Sequence, residues 1–229
     1  MNTKHTSADK PKTRALDLPA VPPKAQELLD LLQEKPAINL RWIVRAIQYA
    51  ITYHRKQANN FQKPSYHHPL EVAKILAPFT TDQDTFVAVL LHGSVEDTPL
   101  SYAQIAFMFN PTVASLVDGV TKFKDSWRRH ALEDYEVCYK LTHPQQDDKR
   151  VLQIKVADRV HDMRTIQSYP SWTQRKKLAE ETLRVFLPLS QNIGLPDLVQ
   201  ELEWLSIYTL RTPRIGRIGQ KHLHLYFTA

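Results

Sequence analysis

The sequence predicts a single all-α domain. Glycine occurs only 5 times in 229 residues, too rarely for the many turns of an all-β protein. Apolar residues recur at helical spacing through most of the chain, and no stretch shows the alternation typical of a strand. Hydrophobic residues make up 42% and charged residues 24% of the chain, which excludes a largely disordered protein.

Ten helical segments are predicted in order. Pro69 suits the first position of the third helix, Thr81 is expected to cap the fourth, and Ser101 to cap the fifth. The run FVAVLL (86–91) is apolar on nearly every side, so we expect the fourth helix to be buried. The segments cover about residues 28–32, 39–56, 69–77, 82–92, 102–109, 112–117, 125–141, 149–167, 171–192 and 195–208.

The basic charge lies at the two ends of the chain. The formal charge is +6, of which residues 1–24 carry +3 and residues 211–229 carry +4, leaving −1 for residues 25–210. We therefore expect a flexible N-terminal tail over 1–24, a folded domain over 25–210 and a basic C-terminal tail over 211–229. A nearly neutral body argues against a nucleic-acid platform, so only the tails are candidates for such contacts.

The cysteine content and hydropathy indicate a cytoplasmic protein. Cys138 is the only cysteine, which excludes an intramolecular disulfide and a zinc–thiolate cluster and fits a reducing compartment. No apolar stretch approaches the roughly 18–20 residues of a membrane span. The basic N-terminus is not followed by an apolar run, so it does not resemble a secretory signal.

Three clusters of histidine and acidic residues fall near predicted helix ends. Imidazole and carboxylate together suit a divalent ion such as Mn, Fe or Zn. The alternative is that each histidine is a helix-end or solvated loop residue, and only the arrangement in space distinguishes the two. The clusters are His67-His68-Pro69, the segment 92–97 with His92, Glu96 and Asp97, and the segment 158–162 with Asp158, His161 and Asp162.

Five stretches of the chain carry a family resemblance. In consistent order they resemble the hydrolase domain of the RelA/SpoT family, which belongs to the HD superfamily of metal-dependent phosphohydrolases. The likeness spans about residues 25–210 without a following synthetase domain, as in a stand-alone small alarmone hydrolase. The stretches are HHPLEVAKILA (67–77), VLLHGSVEDT (89–98), LVDGVTKF (116–123), IKVADRVHDMRT (154–165) and residues 181–207.

The resemblance implies a chemistry and a set of residues. In the family, one Mn²⁺ is held by a His, an adjacent His-Asp pair and a distant Asp, and it activates the water that removes pyrophosphate from the 3′ position of ppGpp. By this resemblance His68, His92 and Asp158 hold the ion. Glu96 and Asp97 correspond to the pair that assists the attacking water.

The chain departs from the family at the metal. The namesake His-Asp pair reads His92-Gly93, so one of the four protein ligands is absent. Glycine has no side chain to coordinate an ion, and its presence also removes a balancing negative charge. Three ligands still hold a metal at catalytic zinc sites, but we expect the affinity to be lower than with four.

The substrate positions depart as well. The arginine expected to stack on guanine falls at Asn59, and the asparagine of the segment ADRxHNMRT becomes Asp162, whose charge repels a polyanionic nucleotide. Asn59 and Asn60 retain the capacity to meet phosphate or a sugar. The residues assigned to the substrate by this alignment are Asn59, Asn60, Arg159, Asp162, Arg164 and Thr165.

Three functions are consistent with this pattern. The first is a metal-dependent (p)ppGpp 3′-pyrophosphohydrolase of alarmone metabolism and the stringent response. The second is an inactive pseudo-hydrolase that binds a nucleotide or a protein partner as a regulator. The third is a phosphohydrolase for another nucleotide. The changes at Gly93 and Asn59 argue against robust ppGpp hydrolysis.

Overall fold

All regular structure in the described part of the chain is helical, which confirms the predicted all-α single domain. The computed structural model describes residues 19–54, 66–93, 95, 100–130, 148–191 and 193–212, so most of both predicted tails lies outside it. The helices are α1 (Pro23–Leu32), α2 (Leu40–His54), α3 (His67–Leu76), α4 (Gln83–Leu91), α5 (Tyr102–Met108), α6 (Pro111–His130), α7 (Lys149–Arg164), α8 (Trp172–Glu181), α9 (Leu187–Ser190) and α10 (Pro196–Arg211).

Helices α4 and α7 lie at the centre of the domain. Every residue from Thr85 to Leu91 of α4 is buried, as its apolar sequence predicts, and the helix packs on α2, α3 and α6. Helix α7 packs on α3, α6 and α10 and buries Ile154, Ala157 and Val160 among others. The candidate functional site lies where these two helices approach α3.

The start of α4 differs from the prediction by one residue. Asp82, not Thr81, is the capping residue, and its carboxylate accepts a hydrogen bond from the backbone N–H of Thr85 at 2.9 Å. Arg150 of α7 also donates to this carboxylate, at 2.9 Å. A charged cap held from both sides satisfies the helix end better than a hydroxyl does. Ser101 caps α5 as predicted, with a capping box to Gln104.

Helix α6 is longer than predicted. We expected a helix over 112–117 and a break before residue 125, but the helix runs from Pro111 to His130. A glycine inside a helix costs about 1 kcal/mol, whereas burying one valine side chain contributes about 1.5–3 kcal/mol. Val117 and Val120 are both buried on either side of Gly119, so packing outweighs the glycine. The rest of the predicted helix 125–141 lies outside the described residues.

Helix α3 starts two residues earlier than predicted. It begins at His67, and Pro69 occupies its third position rather than its first. The first turn of a helix has no internal acceptors for its N–H groups, so a proline in the third position breaks no bond. The earlier start includes His68 in the helix and so fixes its backbone.

The predicted helix over 171–192 is interrupted. Helix α8 continues into a π-helical turn over Thr182–Phe186 before α9. Pro188 in α9 has no N–H to continue the regular ladder, and a wider turn just before it accommodates that loss. Likewise α7 ends at Arg164 and is followed by a 3₁₀ turn over Ile166–Ser168, so the predicted end at 167 is wrong.

None of the helices in the described ranges is both long and apolar enough to cross a membrane.

Candidate metal centre

The three predicted ligands lie close together. His68 lies in the first turn of α3, His92 follows the last residue of α4, and Asp158 lies in the second half of α7. One ligand atom from each lies within 4.8 Å of the others. Residues separated by up to 90 positions in the sequence are thus brought together by the packing of α3, α4 and α7.

His92 is fixed in one orientation and one tautomer. It is buried, and its Nδ1 lies 2.6 Å from the carbonyl oxygen of Val89. Because a carbonyl oxygen only accepts, Nδ1 carries the proton and Nε2 keeps its lone pair. Burial lowers the pKa of His92 to about 4, so the ring is neutral at pH 7. A neutral imidazole whose Nε2 keeps its lone pair can coordinate a metal ion without first losing a proton.

Asp158 is held by positive or hydrogen-bonding groups on both oxygens. Its Oδ1 lies 2.9 Å from Nε2 of His68, and its Oδ2 lies 2.7 Å from Nζ of Lys155. Burial alone would raise the pKa of Asp158, but the charges of Lys155 and His68 outweigh it and hold the pKa well below the usual range. The same contact raises the pKa of His68 against the opposing effect of burial.

Three residues near these ligands, Lys155, His161 and Asp162, were not assigned to the metal by the family resemblance. The rings of His161 and His68 lie with their Nδ1 atoms 3.0 Å apart, and His161, Asp162 and His68 form a second group of ligand atoms within 4.8 Å of one another. Lys155 is likewise a partner that the motifs did not indicate. Helical spacing could have indicated these contacts. Lys155 lies three residues before Asp158 and His161 three residues after it, so all three share one face of α7.

Asp162 has an unusual electrostatic setting. Burial, followed by the nearby charge of Asp158, raises the pKa of Asp162 to about 6. Within the described part of the chain, no side chain donates a hydrogen bond to its carboxylate. Burial and the charge of His68 lower the pKa of His161 to about 4.

The two arginines aligned with the substrate are each held by a glutamate. Arg159 is buried, with its guanidinium 3.3 Å from Glu181 and 4.0 Å from the centre of the Phe186 ring. Arg164 donates two hydrogen bonds to Glu201 of α10, at 2.6 and 2.7 Å. These contacts tie α7 to the π-helical turn and to α10.

The remaining predicted site residues are placed only in part. Thr165 follows the last residue of α7, and its hydroxyl donates to the carbonyl of His161 at 2.9 Å. Gly93 follows His92 and is half-buried. Asn59, Asn60, Glu96 and Asp97 lie outside the described residues.

The donor set of this centre fits a divalent ion. Two imidazoles and one carboxylate suit borderline ions such as Mn²⁺, Fe²⁺ and Zn²⁺, and the orientation of His92 by a backbone carbonyl is the support that metal-binding histidines commonly have. Because His68 and Asp158 are partly exposed, at 29% and 16% of their side-chain areas, solvent and a ligand have access.

Comparison with known proteins identifies the family. Residues 46–195 match the family described as the HD domain. This chain belongs to the HD-domain family. The predicted superfamily is therefore confirmed, and the metal dependence of HD domains agrees with the donor group found here.

Within that family, this HD domain groups with the RelA/SpoT proteins, as its motifs predicted. It is 37% identical over 183 residues to the GTP pyrophosphokinase rsh of Brucella melitensis, covering 79% of this chain and 24% of that protein. It is 35% identical over 176 residues to the bifunctional (p)ppGpp synthase/hydrolase SpoT of Escherichia coli, covering 76% and 25%. The chain thus spans about a quarter of the length of these relatives.

A solved structure shares the architecture of this HD domain. It is that of a metazoan orthologue of SpoT, described as hydrolysing ppGpp and playing a role in starvation responses. The two superpose with a TM-score of 0.62 at 25% identity, over 73% of this chain and 94% of the other.

Proposed function

We propose that this chain is a metal-dependent phosphohydrolase of alarmone metabolism that removes pyrophosphate from the 3′ position of (p)ppGpp. The observation that carries the proposal is the meeting of His68, His92 and Asp158, with ligand atoms within 4.8 Å of one another. The relatives named as a (p)ppGpp synthase/hydrolase and as a ppGpp-hydrolysing protein support the choice of substrate. Because Gly93 offers no ligand, we expect turnover to be slow.

Each ligand of the proposed centre is oriented by a neighbour. His92 offers Nε2 because its Nδ1 is bonded to Val89, and Asp158 offers Oδ1 while Lys155 holds Oδ2. When bound, an ion such as Mn²⁺ supplies a Lewis acid that lowers the pKa of water and offsets the charge of the phosphates. Glu96 and Asp97 follow α4 in the sequence and are proposed to position or deprotonate the attacking water.

The nucleotide is proposed to meet residues at the edge of the centre. Of the aligned arginines, Arg164 is 40% exposed and so has a face free for a phosphate, whereas Arg159 is buried against Glu181. We therefore assign Arg159 a positioning role and Arg164 a phosphate contact. Asn59, Asn60 and Thr165 complete the proposed contacts with sugar or phosphate.

The test is a turnover assay with a matched pair of variants. Purified protein with Mn²⁺ is incubated with ppGpp and pppGpp, and released pyrophosphate is measured. We expect slow release by the wild type, at least tenfold faster release by Gly93→Asp, and none by Asp158→Asn. Addition of excess chelator should stop the reaction. Absence of turnover in both the wild type and Gly93→Asp would overturn the proposal.

A regulatory pseudo-hydrolase is the second candidate, favoured by the loss of the carboxylate at Gly93. It predicts that ppGpp binds in a calorimetric titration without being cleaved, with or without Mn²⁺. A third outcome, cleavage of another phosphorylated nucleotide in the same panel, would indicate a hydrolase with a changed substrate. If no nucleotide of the panel bound, the regulatory candidate would require a protein partner as its ligand.

The proposal extends to the organisation of the chain. We assign the HD unit to about residues 25–210, supported by the match over 46–195, with segments 1–24 and 211–229 flanking it. Helix α1 spans Pro23–Leu32 and supports a start of the unit close to residue 25. The single Cys138 and the proposed nucleotide substrate favour the cytoplasm as its compartment.

A further inference from the structure

The charge balance of the proposed metal centre differs from that of a His, His-Asp, Asp set. Gly93 removes one carboxylate, and Asp162 adds one where the family motif carries asparagine. Asp162 lies on α7 four residues after Asp158, so both carboxylates lie on the same face of that helix. The chain has therefore lost one carboxylate at this centre and gained another.

The gained carboxylate comes with its own donor group. Ligand atoms of Asp162, His161 and His68 lie within 4.8 Å of one another, as do those of His68, His92 and Asp158. His68 belongs to both groups, with Nε2 towards Asp158 and Nδ1 towards His161. Both groups contain two imidazoles and one carboxylate, the same chemistry.

Nothing in the described ranges neutralises Asp162 by direct contact. Lys155 makes its ion pair with Asp158, and Arg159 makes its ion pair with Glu181. These two ion pairs leave the repulsion between Asp158 and Asp162, two carboxylates on one face of α7, as an electrostatic penalty. A divalent cation near His68 removes that penalty, because it attracts both carboxylates.

We propose that Asp162 is a further ligand of the divalent ion held by His68, His92 and Asp158 and replaces the carboxylate missing at position 93. This inference rests on the proposed metal centre but not on its turnover. One ion is expected per chain, because the two groups share His68 and an imidazole that binds an ion has a single lone pair to give. Asp162 then serves the ion rather than the nucleotide.

The experiment measures Mn²⁺ affinity and stoichiometry, by the free-ion electron paramagnetic resonance signal, without any substrate. Asp162→Asn, which restores the residue of the family motif and keeps the side-chain shape, should weaken Mn²⁺ binding at least tenfold. Asp162→Glu should retain affinity within about threefold. The matched control is Asp197→Asn, an exposed carboxylate of α10, which should leave affinity unchanged.

A double-variant comparison makes the replacement itself testable. In the Gly93→Asp background the centre regains its carboxylate, so Asp162→Asn should weaken Mn²⁺ binding less than threefold. Circular dichroism and melting temperature of each variant confirm folding.

Three results would overturn the inference. They are an Asp162→Asn protein that binds Mn²⁺ within twofold of wild type, an equal loss in both backgrounds, and a wild type that binds no Mn²⁺. Turnover of ppGpp with the first result would overturn this inference alone and leave the proposed function standing.

Discussion

The contact between Lys155 and Asp158 is the residue-scale feature with the clearest consequence. Both side chains are largely buried, at 9% and 16% exposure, with Nζ 2.7 Å from Oδ2. Removing one member of a buried pair leaves a charge without its partner and costs about 3 kcal/mol. We predict that Lys155→Met lowers the free energy of unfolding by this amount without metal, and by less with saturating Mn²⁺, because the ion restores positive charge beside Asp158. Urea denaturation in both conditions measures the difference.

Lys155→Arg is the control for this prediction, since it keeps the charge and should lose less stability than Lys155→Met. An equal loss with and without Mn²⁺ would show that Lys155 acts through packing rather than through Asp158.

At this scale the sequence predicted which three side chains would lie together but not their surroundings. His68, His92 and Asp158 each stand in a recognisable motif. His161 belongs to a predicted His/acid cluster, but its contact with His68 depends on the packing of α3 against α7. Lys155 belongs to no motif, and only its contact with Asp158 distinguishes it from other polar residues of a helix. The position of His68 depends on α3 starting at His67, which the proline rule placed two residues too late. Contacts between helices, and not local patterns, decide which neighbours of a ligand matter.

Among the elements, Arg150 connects the starts of α4 and α7. It donates to Asp82, the cap of α4, and to both oxygens of Asp148, the cap of α7. The carboxylates are about 40% exposed, so solvent screens them, and we predict that Arg150→Met lowers the free energy of unfolding by only about 0.5–1 kcal/mol at pH 7. Urea denaturation measures the loss, and Arg41→Met, at an exposed position of α2, should change stability less.

The same connection predicts a pH dependence. Hydrogen bonds from Arg150 lower the pKa of Asp148, and those from Thr85 and Arg150 lower the pKa of Asp82 against the opposing effect of burial. A lowered native pKa gives stability that is present above the ordinary value of 3.8 and lost as the pH falls through the native value. The difference between wild type and Arg150→Met should therefore shrink below about pH 3.8. A difference that stays constant down to pH 2 would contradict this.

The elements themselves were largely predictable, and the exceptions have a common cause. Helical periodicity located every helix that the structure describes. The predicted break near Gly119 was wrong because burial of Val117 and Val120 outweighs the preference of glycine for helix ends. The π-helical turn over Thr182–Phe186 was not predicted. The spacing of apolar residues shows which side of a helix is buried, but it does not show where one extra residue widens a turn.

For the whole molecule, we expect the core to be stable without an ion in the metal centre. Buried apolar residues from α1 to α10 form one cluster. We predict that a chelator leaves the helical circular dichroism intact. Mn²⁺ at about 100 times its dissociation constant should raise the free energy of unfolding by about 2.7 kcal/mol, and the melting temperature by roughly 5–10 °C.

Asp158→Asn is the control for that prediction and should show little shift with Mn²⁺. Loss of helical signal on chelation of the wild type would instead indicate a structural ion, as in small zinc-dependent domains.

The burial of α4 has a consequence for how such a centre changes over time. His92 directly follows seven buried residues, so its ring position is set by the volume of the side chains beneath it. A substitution at Leu90 or Leu91 that changes core packing therefore also displaces Nε2 of His92. Protein interiors are close-packed and pass on such shifts. Selection for thermal tolerance and selection for ion preference therefore act on the same side chains, and neither trait drifts independently of the other.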